Sequence, residues 1–282
     1  MGVVGEFDFF IFALKANLLR GLKRCILFFL FLIIIISFLI ADAMIYKYHS
    51  NNEFLFQLLI DNSLWFSKVT DYNDPFDMKF NFEIFYSKDF ILESSKKMIE
   101  NLTTEEETKK KQYLEIASRV NPISFSEETN REIYQDIQNF GVCCFSKSKS
   151  NILMWSHYAN GHKGVCLGFD FASIKKERLV TKEVTYSKNY PVINNITEVI
   201  VGMTTKSLNW KYEKEVRMIL FGENGKLEFP RESIKEVIFG CRMPQEEMER
   251  ITKVMKFAGY KNLIFKKAIL EEKKYSLKLL KL

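Results

Sequence analysis

The pattern of apolar and polar positions changes character along the chain. Residues 25–41, CILFFLFLIIIISFLIA, carry no charge and no polar stripe. A helix of that length covers roughly 25 Å, the short end of a bilayer core. Lys15, Arg20, Lys23 and Arg24 precede it, and the positive-inside rule keeps that end cytoplasmic and sends the remainder outward. The pattern predicts a basic segment over 1–24, a transmembrane helix over 25–43 with the lipid bilayer as its partner, and a single-pass membrane protein. Met44 offers another start. Translation from there leaves 239 residues (282 minus 43), no span, and a cytoplasmic domain.

From residue 44 the periods are those of one α+β domain, a single mixed sheet with a helical insertion. In MIYKYHS, Ile45, Lys47 and His49 alternate with Tyr46 and Tyr48, as in a strand. FLFQLLI (54–60) reads as an amphipathic helix and Leu64–Ser67 as a second strand, followed by the loop DYNDPFD (71–77). Residues 88–140 are charged and carry EEETKKK at their centre. They predict two or three surface helices broken near Asn121-Pro122. GVCCFS (141–146) is a buried strand, ILMWSHYA (152–159) a short helix closed at Asn160-Gly161, and VCLGFD (165–170) a strand. VTYS (184–187), KYEKEVRMILF (211–221) and IKEVIFG (234–240) are further strands. A helix over 244–259, with Met248, Ile251, Met255 and Ala258 on one face, leads to LIFKKAIL and YSLKLL, which close the sheet.

Composition sharpens this picture in three ways. Hydrophobic residues make up 47% of the chain, so a packed core is available and wholesale disorder is excluded. Five cysteines show no framework spacing, which excludes a disulfide miniprotein and favours a reducing compartment. The net charge of +6 is spread thinly, with no basic stripe dense enough to argue nucleic acid. No phosphate loop, dinucleotide fingerprint, HExxH or CxxC occurs, and no metal ligand set is assigned.

Three constellations could carry chemistry. As a strand, WKYEKEVRMIL puts Glu213, Glu215 and Arg217 on one face about 7 Å apart, with Val216, Met218 and Leu220 on the other. A surface ion-pair ladder on an edge strand explains the spacing equally well, although Trp210 and Tyr212 just before it suit a ligand wall. LMWSHYANGHKGVCLGFD gathers Trp155, His157, Tyr158, His162 and Lys163. The two histidines are five apart, which splits them across helix faces, and Cys166 in an apolar strand reads as a filler before a nucleophile. Asn73, Asp74 and Asp77 could cap a helix or bind a cation, capping being the commoner role.

YKYHS, LWFS, NDPFD, VCCFS, LMWSHYANGHKGVCLGFD, WKYEKEVR and IKEVIFG, in this order, resemble the bacterial family called domain of unknown function 2971. The resemblance runs from Ile45 to the C-terminus. A more distant likeness is to ADP-ribosyltransferases, including DNA-modifying toxins of the DarT type. That likeness implies NAD as substrate, leaves any further cofactor unassigned, and puts nucleic acid among the acceptors. It implies a catalytic group of Glu215, on the nicotinamide ribose 2′-hydroxyl, Glu213, orienting the acceptor, and Arg217 beside them. Tyr46, Lys47, Tyr48 and Ser67 would hold the dinucleotide, with Trp155, His157 and Tyr158 around the nicotinamide. The departure is at the first strand, where Lys47 or His49 stands in place of the usual Arg or His. Two other readings remain beside this one. One is a membrane-tethered module that binds a ligand without catalysis; the other is a magnesium nuclease using Asp74, Asp77, Glu213 and Glu215.

Overall fold

The computed structural model describes residues 44–100, 107–171 and 178–282. The predicted span over 25–43 lies outside them, and no helix among the described residues is long and apolar enough to cross a membrane. The described chain is mixed α+β and divides into two units.

The sheet unit opens with β1 (Ile45–His49), α1 (Glu53–Asp61) and β2 (Ser63–Lys68). Asn52 starts α1 by accepting from the amide of Leu55, and Asn62 ends it in the left-handed conformation. The helical unit follows with β3 (Asn81–Phe82), α2 (Lys88–Glu100), α3 (Glu107–Arg119) and α4 (Pro122–Ile137). The chain returns to the sheet unit as β4 (Gly141–Ser146), α5 (Ile152–Tyr158), β5 (Val165–Phe169), β6 (Leu179–Glu183) and β7 (Thr185–Ser187). It then supplies β8 (Val192–Ile193) and α6 (Val199–Met203) to the helical unit. The remainder, back in the sheet unit, is β9 (Thr205–Ser207), β10 (Glu215–Leu220), β11 (Gly225–Glu228), β12 (Ile234–Phe239), α7 (Gln245–Phe257), β13 (Ile264–Leu270) and β14 (Leu277–Lys281).

Within the helical unit the predicted break is real. Asn121 caps α4 through the amide of Ile123, and Pro122 sits in its first turn, where a missing N–H costs nothing. Phe125, Ile133 and Ile137 form the buried face of α4, and β3 pairs in parallel with β8. Residues 190–203 belong to this unit as well.

In the sheet unit the main strand order is β11-β2-β4-β1-β5-β12-β13-β14, and β10 lies between β4 and β6. Only the β12–β13 pair is parallel within this path. One face packs Leu55, Leu59, Ile251 and Met255, from α1 and α7, over Leu167, Val216, Met218 and Val237. The other packs Met154 and Trp155 over Tyr46, Tyr48, Cys166 and Ile238. This two-sided burial explains why β4 and β5 read as unbroken apolar runs.

Two strand expectations need correction. β10 begins at Glu215, because Leu208–Glu213 forms a 3₁₀ helix and Lys214 turns the chain at φ 46°. β10 is also not an edge: all six of its residues are buried between two neighbours, so the surface-ladder reading falls.

One irregularity prepares the site. β10 registers along the whole of β4, which occupies one edge of that strand. Its other edge is shared: β2 registers against Gly141 and Val142, and β1 against Ser146 alone. Between them the sheet opens. There the Cys144 carbonyl accepts from Lys47 Nζ at 3.0 Å, and the Val142 carbonyl from the Tyr72 hydroxyl at 3.3 Å. Side chains thus satisfy backbone groups that a neighbouring strand would otherwise pair.

Candidate functional site

A cleft of about 180 Å³ lies at this opening, wholly within the sheet unit. β1 contributes Tyr46, Lys47 and Tyr48, and the loop after β2 contributes Tyr72 and Asp77. Cys144 comes from β4, Tyr158 from α5 and Lys206 from β9, while Glu213 and Glu215 flank the turn at Lys214.

Local structure explains each placement. α5 is capped by Asn151, whose carbonyl oxygen accepts from the amides of Leu153 and Met154 while its amide donates to the Tyr212 carbonyl. That bond ties the start of α5 to the segment carrying Glu213. After Tyr158 the chain turns through Asn160, Gly161 and His162, all at positive φ. Gly164 then passes β1 so closely that an added Cβ would stand 2.0 Å from the His49 carbonyl oxygen. The left-handed Lys214 makes the E-x-E pair work outside a regular strand, for both carboxylates reach the same ammonium.

Five acidic and basic side chains interlock at the floor of the cleft. Arg217, fully buried, donates from Nε to Glu215 Oε1 at 2.6 Å and from Nη2 to both Asp77 oxygens at 2.8 Å. Nη2 also reaches Glu215 Oε2 at 3.2 Å. Lys206 Nζ donates to Glu213 Oε2 at 2.6 Å and Glu215 Oε2 at 3.0 Å, and lies 3.6 Å from Asp77 Oδ2. The Tyr158 hydroxyl donates to Glu213 Oε1 at 2.6 Å. Two neighbours complete the setting: the Tyr186 hydroxyl accepts from the Glu215 amide, and the Trp210 ring lies under Lys206. Burying such a network is tolerable only because every charge has a partner.

The two glutamates are tuned apart. Burial pushes the Glu213 carboxyl above its ordinary range, against the pull of Lys206 and Tyr158. Burial would raise Glu215 too, but the charge and hydrogen bonds of Arg217, helped by Lys206, outweigh it and hold that carboxyl down at about 2. Burial also pushes up the Tyr158 phenol, reinforced by Glu213, and the Cys144 thiol, reinforced by Glu215. Burial thus disfavours the Cys144 thiolate, and its sulfur lies 3.2 Å from the Tyr72 hydroxyl.

Most of the residues singled out from sequence meet here. Tyr46, Lys47, Tyr48, Tyr158, Glu213 and Glu215 line the cleft, with Arg217 bonded beneath them. Three do not line it. Trp155 is fully buried in the core, with its indole N–H on the Lys149 carbonyl. His157, two residues on and so about 200° round the helix, is exposed. Ser67 is taken up by its pairing with Val142 in the sheet. Asp74 shapes its own turn by accepting from the Phe76 amide, whereas Asp77 turns in to Arg217. Cys166 is the buried filler it resembled. Among the described residues no group of three or more acidic, His or Cys side chains is arranged to hold a metal ion. Sequence reasoning missed Lys206, because TTKS has no pattern that marks its lysine, and Tyr72 and Cys144, which only the opening in the sheet exposes.

Residues 154–218 match the model of a family described as protein of unknown function (DUF2971). The matched stretch runs from α5 into β10 and holds Tyr158, Lys206, Glu213, Glu215 and Arg217, so it carries most of the charged network. The match names no activity, and the likeness to ADP-ribosyltransferases gains nothing from it. No curated protein and no solved structure matches the chain.

Proposed function

We propose that the sheet unit binds NAD in this cleft and transfers ADP-ribose from it. The observation that carries the reading is the convergence of Tyr46, Lys47 and Tyr48 from β1 with Glu213 and Glu215 in one concave site. Breaking the nicotinamide–ribose bond develops oxocarbenium charge on the ribose, as in glycoside cleavage. Glu215 suits that charge because Arg217 and Lys206 hold it ionised and immobile, so it need not reorganise as the charge appears. The acceptor's attack on ribose C1 forms one bond while the C1–nitrogen pair leaves with nicotinamide, and the acceptor's proton goes to a carboxylate. About 180 Å³ is smaller than the roughly 300–1,000 Å³ of sites that enclose drug-sized ligands, so the cleft would take the nicotinamide-ribose end and leave the adenosine outside. Nucleic acid remains among the acceptors, and the bilayer is proposed as a partner only through 25–43.

A second reading, a module that binds without catalysis, has its own support: both Glu215 oxygens already accept from protein donors. Incubating the full chain with labelled NAD and candidate acceptors, DNA included, separates the two. Transfer or hydrolysis that is lost in Glu215→Ala supports the enzyme. Binding without turnover supports the module. If neither wild type nor variant binds or consumes NAD, both uses of NAD are lost.

A further inference from the structure

The network at the cleft floor can be counted as charges. Asp77, Glu213 and Glu215 supply three carboxylates, while the cations bonded to them among the described residues are Lys206 and Arg217. From this count we infer that the network is one positive charge short, and that Glu213 carries a proton in the free protein and gives it up when a cationic ligand head settles beside it. This deepens the NAD reading, on which the choice of probe rests, by naming what the carboxylate end of the cleft recognises.

The geometry selects Glu213 for the proton. Asp77 accepts two bonds from the guanidinium of Arg217 and one from the Met78 amide, and has Lys206 close by. Glu215 is bonded to both cations. Glu213 has one cation, Lys206, and its other oxygen faces only the neutral Tyr158 hydroxyl. A proton placed on Asp77 or Glu215 would sacrifice contacts with two cations; on Glu213 it weakens a contact with one. The groups that face Glu213 come from several elements. Tyr158 reaches it from α5, Lys206 from β9 and Glu215 from β10, with Tyr186 of β7 and Tyr212 of its own 3₁₀ turn nearby. None of these adds a second positive charge, and Lys47 of β1, the other cation lining the cleft, is bonded to the Cys144 carbonyl instead. The direction of the Glu213 shift agrees with the count. A ligand cation beside Glu213 completes the set, so an ionised carboxylate and a bound cation become the stable pair. Pyridinium rings and ammonium groups are the ligand heads this selects, and the neutral form of the same ring is not.

The test has a protein arm and a ligand arm, both on the full chain. In the first, carboxyl carbon-13 resonances of labelled glutamate are followed against pH, with Glu213 assigned by its loss in Glu213→Gln. The expected result is a titration midpoint for Glu213 above the ordinary carboxylate range and one for Glu215 below it. Tyr158→Phe, which removes a donor to the ionised form, moves the Glu213 midpoint further up. In the second arm, calorimetry compares 1-methylnicotinamide, methylated on the ring nitrogen and so a pyridinium cation, with neutral nicotinamide. The cation's affinity should rise about tenfold per pH unit below the Glu213 midpoint, with close to one proton released, and the neutral ring should show no such slope. Glu213→Gln should abolish the slope. A Glu213 midpoint at or below the ordinary range overturns the inference, and so does a cation that binds no better as Glu213 ionises. Turnover of NAD with an ordinary Glu213 midpoint would leave the proposed function standing and sink this inference alone. The expected titration and cation linkage without NAD turnover would do the reverse.

Discussion

Replacing Arg217 by Met tests whether the buried network acts through charge or through packing. Methionine keeps most of the side chain's length in a fully buried site, so little cavity opens. What is lost is the pair of 2.8 Å bonds to Asp77 and the 2.6 and 3.2 Å bonds to Glu215, leaving two buried carboxylates with Lys206 alone. Removing one member of such a network costs about 3–5 kcal/mol. The pH dependence separates the causes. Glu215 is depressed in the folded protein, so its contribution is present above the ordinary carboxylate value and is lost as pH falls toward its folded value. A shift from 4.5 to about 2 corresponds to on the order of 3 kcal/mol at neutral pH, of which about 2 kcal/mol is gone by pH 3. The variant no longer holds Glu215 down, so its deficit against wild type should shrink by about 2 kcal/mol between pH 7 and pH 3. Urea unfolding of both proteins, followed by the fluorescence of the buried Trp155, measures this. A deficit equal at the two pH values would refute the electrostatic account and assign the loss to packing.

Two further predictions concern the backbone that aims the site. Gly164→Ala places a methyl group 2.0 Å from the His49 carbonyl oxygen, a backbone atom that cannot swing aside, and should cost about 3 kcal/mol or more, read as a fall in Tm. At Lys214, held at φ 46°, a β-branched valine should cost about 1–2 kcal/mol in the same assay, whereas glycine should stay within about 1 kcal/mol of wild type. A valine variant as stable as the glycine one would show that the turn between Glu213 and Glu215 is unstrained.

Much of the fold was legible in the chain because its signals are local. β4, β5, α5, α7 and the break at Asn121-Pro122 rest on apolar runs, helical spacing and capping residues, each of which acts over a few positions. β6 and β11 escaped notice because LVTKE and GKLE carry weak patterns and become strands by pairing with β10 and β2. The E-x-E pair was visible, but its geometry was misread: a two-residue period implies a strand, and the left-handed Lys214 reaches the same convergence by a turn.

By itself, then, the sequence determined which residues carry charge and aromatic surface, which segments bury a face, and a family likeness whose model match is confined to residues 154–218. Only the tertiary structure decided that Lys206 joins Glu213 to Glu215, that Asp77 leaves its loop for Arg217, and that Trp155 serves the core while Tyr158 serves the cleft. The physical reason is range. Periodicity and capping are set by neighbours in the chain, whereas an ion network and an opening between β1 and β2 depend on groups up to 140 residues apart meeting in one buried place.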